Sequence, residues 1–72
     1  MDKYFYVVIE ENVGRTPTPF IIQHIKVMCA KSEEAVVENV RKRYGKQLVE
    51  FTVEELAEDD PMLYEEPIYI VS

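Results

Sequence analysis

The stretch SEEAVVENVRKRYG, residues 32–45, carries a helix with both of its ends written into it. Ser32 stands where an N-cap hydroxyl accepts a hydrogen bond from a free backbone N–H, and Glu33 and Glu34 follow at the positive end of the helix dipole. Val36, Val37, Val40 and Tyr44 fall within one stripe roughly 100° wide, so they are expected to face a core. Arg41, Lys42 and Arg43 fill the last turn, where cations suit the negative helix end. Gly45 then supplies a left-handed stop. Start, stripe and stop agree, and the rest of the chain is read outward from this helix.

Two apolar segments precede it. Tyr4 to Glu11 is aromatic and β-branched and closes on polar residues, the pattern of a strand. Phe20 to Ala30 reads as a second, longer strand. The loop between them contains Asn12, Gly14, Pro17 and Pro19, and the two prolines withdraw two backbone donors from any ladder there. An antiparallel pair with a long connection is expected. After the helix, Gln47 to Glu54 alternates Val49, Phe51 and Val53 with Glu50, Thr52 and Glu54, as a half-buried strand with a solvated acidic face would. Thr52-Val53-Glu54-Glu55 also fits a capping box, and a strand followed by one helical turn would satisfy both patterns. Glu58, Asp59, Asp60 and Pro61 mark a turn. Met62, Leu63 and Tyr64 form a small apolar cluster expected to act as a lid, and Pro67 to Val71 reads as a last short strand. The order β-β-α-β-β predicts a single α+β domain over residues 1–72. Its architecture is a four-stranded, mostly antiparallel sheet with one helix on one face.

The chain has 72 residues, 47% of them hydrophobic and 31% charged. A domain of this size buries only about 60% of its unfolded surface, so its stability is marginal without a staple. The single cysteine excludes an internal disulfide. The strands raise a further difficulty. Tyr4, Tyr6 and Val8 alternate with Phe5, Val7 and Ile9, so the first strand is apolar on both faces, and the second is similar. One helix covers one face. The other is expected to be covered by a second copy, a partner, or the Met62–Tyr64 segment, because so large an apolar patch is unusual on a monomer. Tyr4, Tyr6, Phe20 and Ile22 are assigned to that dimer or partner interface.

Catalytic chemistry finds no constellation. His24 is the only histidine and lacks metal-ligand companions; it reads as a strand residue at the edge of the apolar face. Cys29 sits between Met28 and Ala30 without a base partner and reads as a small buried hydrophobe. The carboxylates after residue 57 lack the glycine and the alternation of a calcium loop. With only two glycines no phosphate-cradling loop can be written. No enzyme, metal or cofactor is expected. The longest apolar run, Tyr4 to Ile9, is too short for a membrane span or a signal-peptide core, so a soluble cytoplasmic protein is expected.

Charge is the informative property. The net charge is −6. Residues 1–46 hold six acids and all eight bases, for +2; residues 47–72 hold eight acids and no base, for −8. The acids are Glu50, Glu54, Glu55, Glu58, Asp59, Asp60, Glu65 and Glu66. Solubilising surfaces ordinarily mix signs. Carboxylates two residues apart on a strand stand roughly 6.7 Å apart, similar to phosphates along a nucleic-acid strand. Short length, acidity and the base-free stretch Glu50 to Glu66 resemble the small acidic inhibitors encoded by bacteriophages, DNA mimics among them. That likeness is to a class, and it implies a non-enzymatic protein that blocks a larger host protein.

The leading expectation is therefore a binding protein whose acidic C-terminal surface docks on a basic, nucleic-acid-binding site of a larger protein. The eight acids would supply charge, with Tyr64 and Leu63 as apolar anchor. An adaptor subunit that binds through its apolar sheet face is the alternative. A third reading, a nucleic-acid binder using Arg41, Lys42, Arg43 and Lys46, is opposed by the net charge and by the helix-end role of those residues.

Overall fold

The computed structural model describes residues 2–61 and 67–70. The helix, α1, spans Glu33–Tyr44, with the ends the sequence specifies. The Ser32 hydroxyl accepts from the Ala35 N–H at 3.3 Å. Gly45 takes φ +55°, and its N–H donates to the Arg41 carbonyl. Val36, Val40 and Tyr44 are buried. Val37 departs from expectation: it is half-buried and lines an open depression with Glu33, Glu34, Glu38, Arg41 and Lys42. One residue is 100° of helix, and the buried stripe is only as wide as 36, 40 and 44 make it.

Strand β1, Lys3–Asn12, runs antiparallel to β2, Ile21–Ala30, and also to β3, Leu48–Glu55. Strand β4, Ile68–Tyr69, pairs parallel to β2. The four-stranded sheet is ordered β3-β1-β2-β4, so the α+β fold has one helix and an open mixed sheet. β2 and β3 are parallel to each other with β1 between them. Joining them requires a crossover, and α1 with the 3₁₀ turn Gly45–Gln47 is that crossover.

The register assigns each side chain to a face, because cross-strand partners share one. Phe5, Val7 and Ile9 point toward α1 and bury completely with Met28, Ala30, Val36, Val40 and Tyr44. Leu48, Phe51, Val53, Ile68 and Ile70 pack around this cluster. The expected inward set of β3 is corrected at one end. The register shifts between Glu10 and Glu11, where Glu10 pairs with Glu50 and Glu11 with Leu48. Val49 is the extra residue of that bulge and is 54% exposed, while Leu48 takes its place against the core.

Three further expectations are refined. β3 continues through Glu55 without a helical turn at Thr52, because pairing with Tyr6 and Val8 already satisfies its backbone. A turn follows at Glu58–Asp59. Phe20 precedes β2; its carbonyl accepts from the Val13 N–H at 2.8 Å while its ring stays exposed. The connection is ordered by Asn12, whose Oδ1 accepts from the N–H groups of Gly14 and Phe20 at 3.0 and 3.1 Å. The Thr16–Pro17 peptide is cis. The apolar cluster Met62, Leu63 and Tyr64 lies outside the described residues, as does Val71 at the end of the last expected strand.

Candidate functional site

The sheet sorts charge as well as apolar surface. Its helix-bearing face carries every basic residue of the strands, Lys3 and Lys26, together with Glu11 and Glu55. Two of these acids are already engaged. Glu55 pairs with Lys3 at 3.6 Å, with both side chains exposed, and Glu11 Oε1 lies 2.9 Å from His24 Nε2. His24 stacks at 5.6 Å from the Tyr44 ring, beside the C-terminal end of α1. It is a strand histidine held by one carboxylate. Among the described residues no group of three His, Cys, Asp or Glu side chains is placed to hold a metal ion.

Among the described residues no helix lies over the opposite face. Its rows can be read across the ladder: Tyr4–Cys29–Tyr69, Glu54–Tyr6–Val27, Thr52–Val8–Ile25 and Glu50–Glu10–Gln23, with Asn12 beside Ile21 at the end. The charged strand residues on this face are Glu10, Glu50 and Glu54, and no base accompanies them. Glu10 and Glu50 are direct cross-strand partners. Residues so paired have Cβ atoms about 5 Å apart, and like charges in that arrangement destabilise a sheet. Beside the acids lies an apolar field. Ile25 and Tyr69 are 57% and 66% exposed, and Ile21 is also exposed. Val8 and Tyr6 are half-buried, and Val27 and Cys29 are buried.

The row Tyr4–Cys29–Tyr69 shifts two pKa values. Burial pushes the Cys29 thiol above its ordinary 9.0; the Asp2 carboxylate adds to this, and a hydrogen bond with Tyr4 opposes it. The Tyr4 phenol rises above 10.0, first through the charge that Cys29 would carry, then through Tyr69, desolvation and hydrogen bonds to both. Cys29 is therefore a protonated, inert thiol at neutral pH.

The residues expected to bind a partner are divided by this geometry. Glu50 and Glu54 lie on the open face. Glu55 points to the helix side, and Glu58 and Asp59 are exposed in the turn beyond β3. Asp60 is half-buried and engaged in an interaction of its own. Tyr64, Glu65 and Glu66 lie outside the described residues. Glu50 and Glu54 are separated by Thr52 on one face, so their carboxylates stand about 13 Å apart along the strand rather than at the two-residue spacing. The nearer neighbour of Glu50 is Glu10, from the other end of the sequence. Sequence alternation alone misses Glu10, because only the register brings it to Glu50. Of the four residues assigned to a dimer or partner face, Tyr4 and Tyr6 are on the open face. Ile22 pairs with Glu11 on the helix side, and Phe20 lies in the loop before β2. The basic residues Arg41, Lys42, Arg43 and Lys46 are exposed at the far end of α1, with the Arg41 guanidinium 5.5 Å above the Phe51 ring.

Among the described residues no helix is long and apolar enough to cross a membrane. Comparison with protein-family models, with curated proteins and with solved structures gives no match.

Proposed function

We propose that this chain is a non-enzymatic binding protein whose open sheet face docks on a basic site of a larger protein and blocks or modulates it. One observation carries the reading: Glu10 and Glu50 face each other directly on the sheet face opposite α1, whose strands present no base. That arrangement costs stability in the free protein, and a cationic partner relieves it. Glu54 extends the acidic edge, and Tyr6, Val8 and Ile25 beside it supply apolar surface for affinity once charge has brought the partners together. A site that otherwise receives nucleic-acid phosphates has the matching chemistry. The exposed acids Glu58 and Asp59 add to the long-range field without belonging to the contact.

The exposure of Ile25 and Tyr69 favours a second reading, in which the apolar field alone binds a structural partner and the acids only keep the chain soluble. Salt separates the two. The immobilised protein is loaded with a lysate of its source cells and eluted with a salt gradient, alongside a Glu10→Gln/Glu50→Gln/Glu54→Gln variant. Charge docking predicts a basic partner that leaves as ionic strength rises and is not retained by the variant. Retention that ignores both salt and the three substitutions would favour the apolar reading.

A further inference from the structure

The outer strands of the sheet are β3 and β4. Among the described residues no strand pairs with β3 on the side away from β1. β4 stands at the other end of the sheet, and four strand spacings, about 19 Å, separate it from the position that a strand beside β3 would take. The chain that enters Ile68 is therefore on the far side of the sheet from this edge.

The bonds to β1 fix which backbone groups the edge presents. The Leu56 N–H donates to the Tyr4 carbonyl at 2.8 Å, so Leu56 directs its backbone groups toward β1. Direction alternates along an antiparallel ladder, so Glu54 and Thr52 do the same. The intervening Phe51, Val53 and Glu55 turn their N–H and C=O groups outward. Side chains alternate with the same period. Glu50, Thr52 and Glu54 stand on the face opposite α1. Phe51, Val53 and Glu55 stand on the helix face, where Glu55 is paired with Lys3. The edge thus combines a row of outward backbone groups with two acids four residues apart, about 13 Å, and the strand holds no base.

We infer that the basic partner engages this edge as an extended segment. It adds to β3 as a further antiparallel strand, with one lysine or arginine against Glu54 and another, four residues on, against Glu50. The inference rests on the charge-docking reading and gives the partner its form. Backbone pairing at Phe51, Val53 and Glu55 supplies affinity, and the side chains opposite the two acids supply selection. Antiparallel pairing is the more stable direction per residue. A second copy is not the added strand: β3 holds three acids and no base, so pairing β3 with β3 brings like charges together. A basic strand meets the opposite sign at Glu54 and again at Glu50, where it also offsets the repulsion between Glu10 and Glu50. Between its two bases it places a polar residue opposite Thr52 and β-branched apolar residues opposite Val53 and Phe51.

The probe is the synthetic peptide Thr-Lys-Val-Thr-Val-Lys-Thr, titrated into the natural chain at low salt and followed by amide hydrogen exchange. Bound, it is expected to slow exchange at Phe51, Val53 and Glu55, whose N–H groups face it. N-methylation of its two valines removes the N–H groups that would bond to β3, and should weaken binding by about tenfold or more. N-methylation of its central threonine, whose N–H faces away, should weaken it by less than about twofold. Exchange unchanged at about 1 mM peptide, the weak end of specific recognition, overturns the inference. So does a greater loss on methylating the threonine than the valines, or a peptide with both lysines replaced by glutamine that binds as tightly. Binding that ignores methylation at either place shows attraction by charge without strand addition; that result overturns the inference and leaves the charge-docking reading standing.

Discussion

Glu10 and Glu50 oppose each other across two strands with no base among the strand residues of their face, and that pair makes a prediction about stability. Glu50→Gln keeps the shape and removes the repulsion, so urea unfolding should show a gain of about 0.2–1 kcal/mol, with Glu10→Gln giving a similar gain and the double variant no further one. A loss of stability in both single variants would mean that the carboxylates serve the free fold. Cys29 makes a prediction about pH. Its folded pKa lies above the ordinary thiol value, as does that of Tyr4 above the ordinary phenol. The folded protein thus holds protons that the unfolded chain releases. Stability is fully present below about pH 9 and falls as pH rises through the raised values. Denaturation midpoints followed from pH 7 to 10.5 should decline over the alkaline part of that range, and less steeply in Cys29→Ala. Gly14 is constrained by space. A Cβ there would meet the backbone of Phe20, Thr18 and Pro19. Gly14→Ala should therefore lower stability by about 1–3 kcal/mol, the cost of forced overpacking, measured by the same unfolding.

The elements differ in how far local sequence decides them. The helix was legible at both ends because its signals are local: a hydroxyl cap at Ser32, acids then bases along the dipole, a glycine stop at Gly45. Ser32→Ala should reduce stability by about 1 kcal/mol, as read from the thermal midpoint, since it strands the Ala35 N–H. The hairpin strands were legible for a similar reason, as two runs of apolar residues divided by prolines. The bulge at Val49 was not. Alternation from Val49 to Glu54 is unbroken in sequence, and only pairing against Glu10 and Glu11 shows that Leu48, rather than Val49, is the residue that turns inward. The capping box at Thr52 misled for the complementary reason: local hydrogen bonds lost to a ladder with Tyr6 and Val8 that no local pattern contains. β4 carries the same lesson, since its parallel pairing with β2 depends on where the chain returns and not on Ile68 and Tyr69 themselves.

At the scale of the molecule, the sequence divides charge by position and the fold divides it by face. Read along the chain, residues 47–72 are acidic and the remainder nearly balanced. Folded, Glu55 turns to the helix side and meets Lys3, while Glu10 joins Glu50 and Glu54 on the open face. The helix that covers one side of the sheet carries Arg41, Lys42 and Arg43 in its last turn, so these bases stand on the side opposite Glu10, Glu50 and Glu54. The candidate surface was therefore legible as acidity next to apolar strands, but its membership required the register. Its central claim is that the open face holds unfavourable charge in the free protein for the sake of a cationic partner. The most direct measurement compares the natural chain with the Glu10→Gln/Glu50→Gln/Glu54→Gln variant in two assays at once, urea unfolding and salt-graded retention of the captured partner. The account predicts opposite movements, a more stable variant that no longer holds the partner at low salt. A variant that retains the partner as well as the natural chain does, whatever its stability, would contradict it.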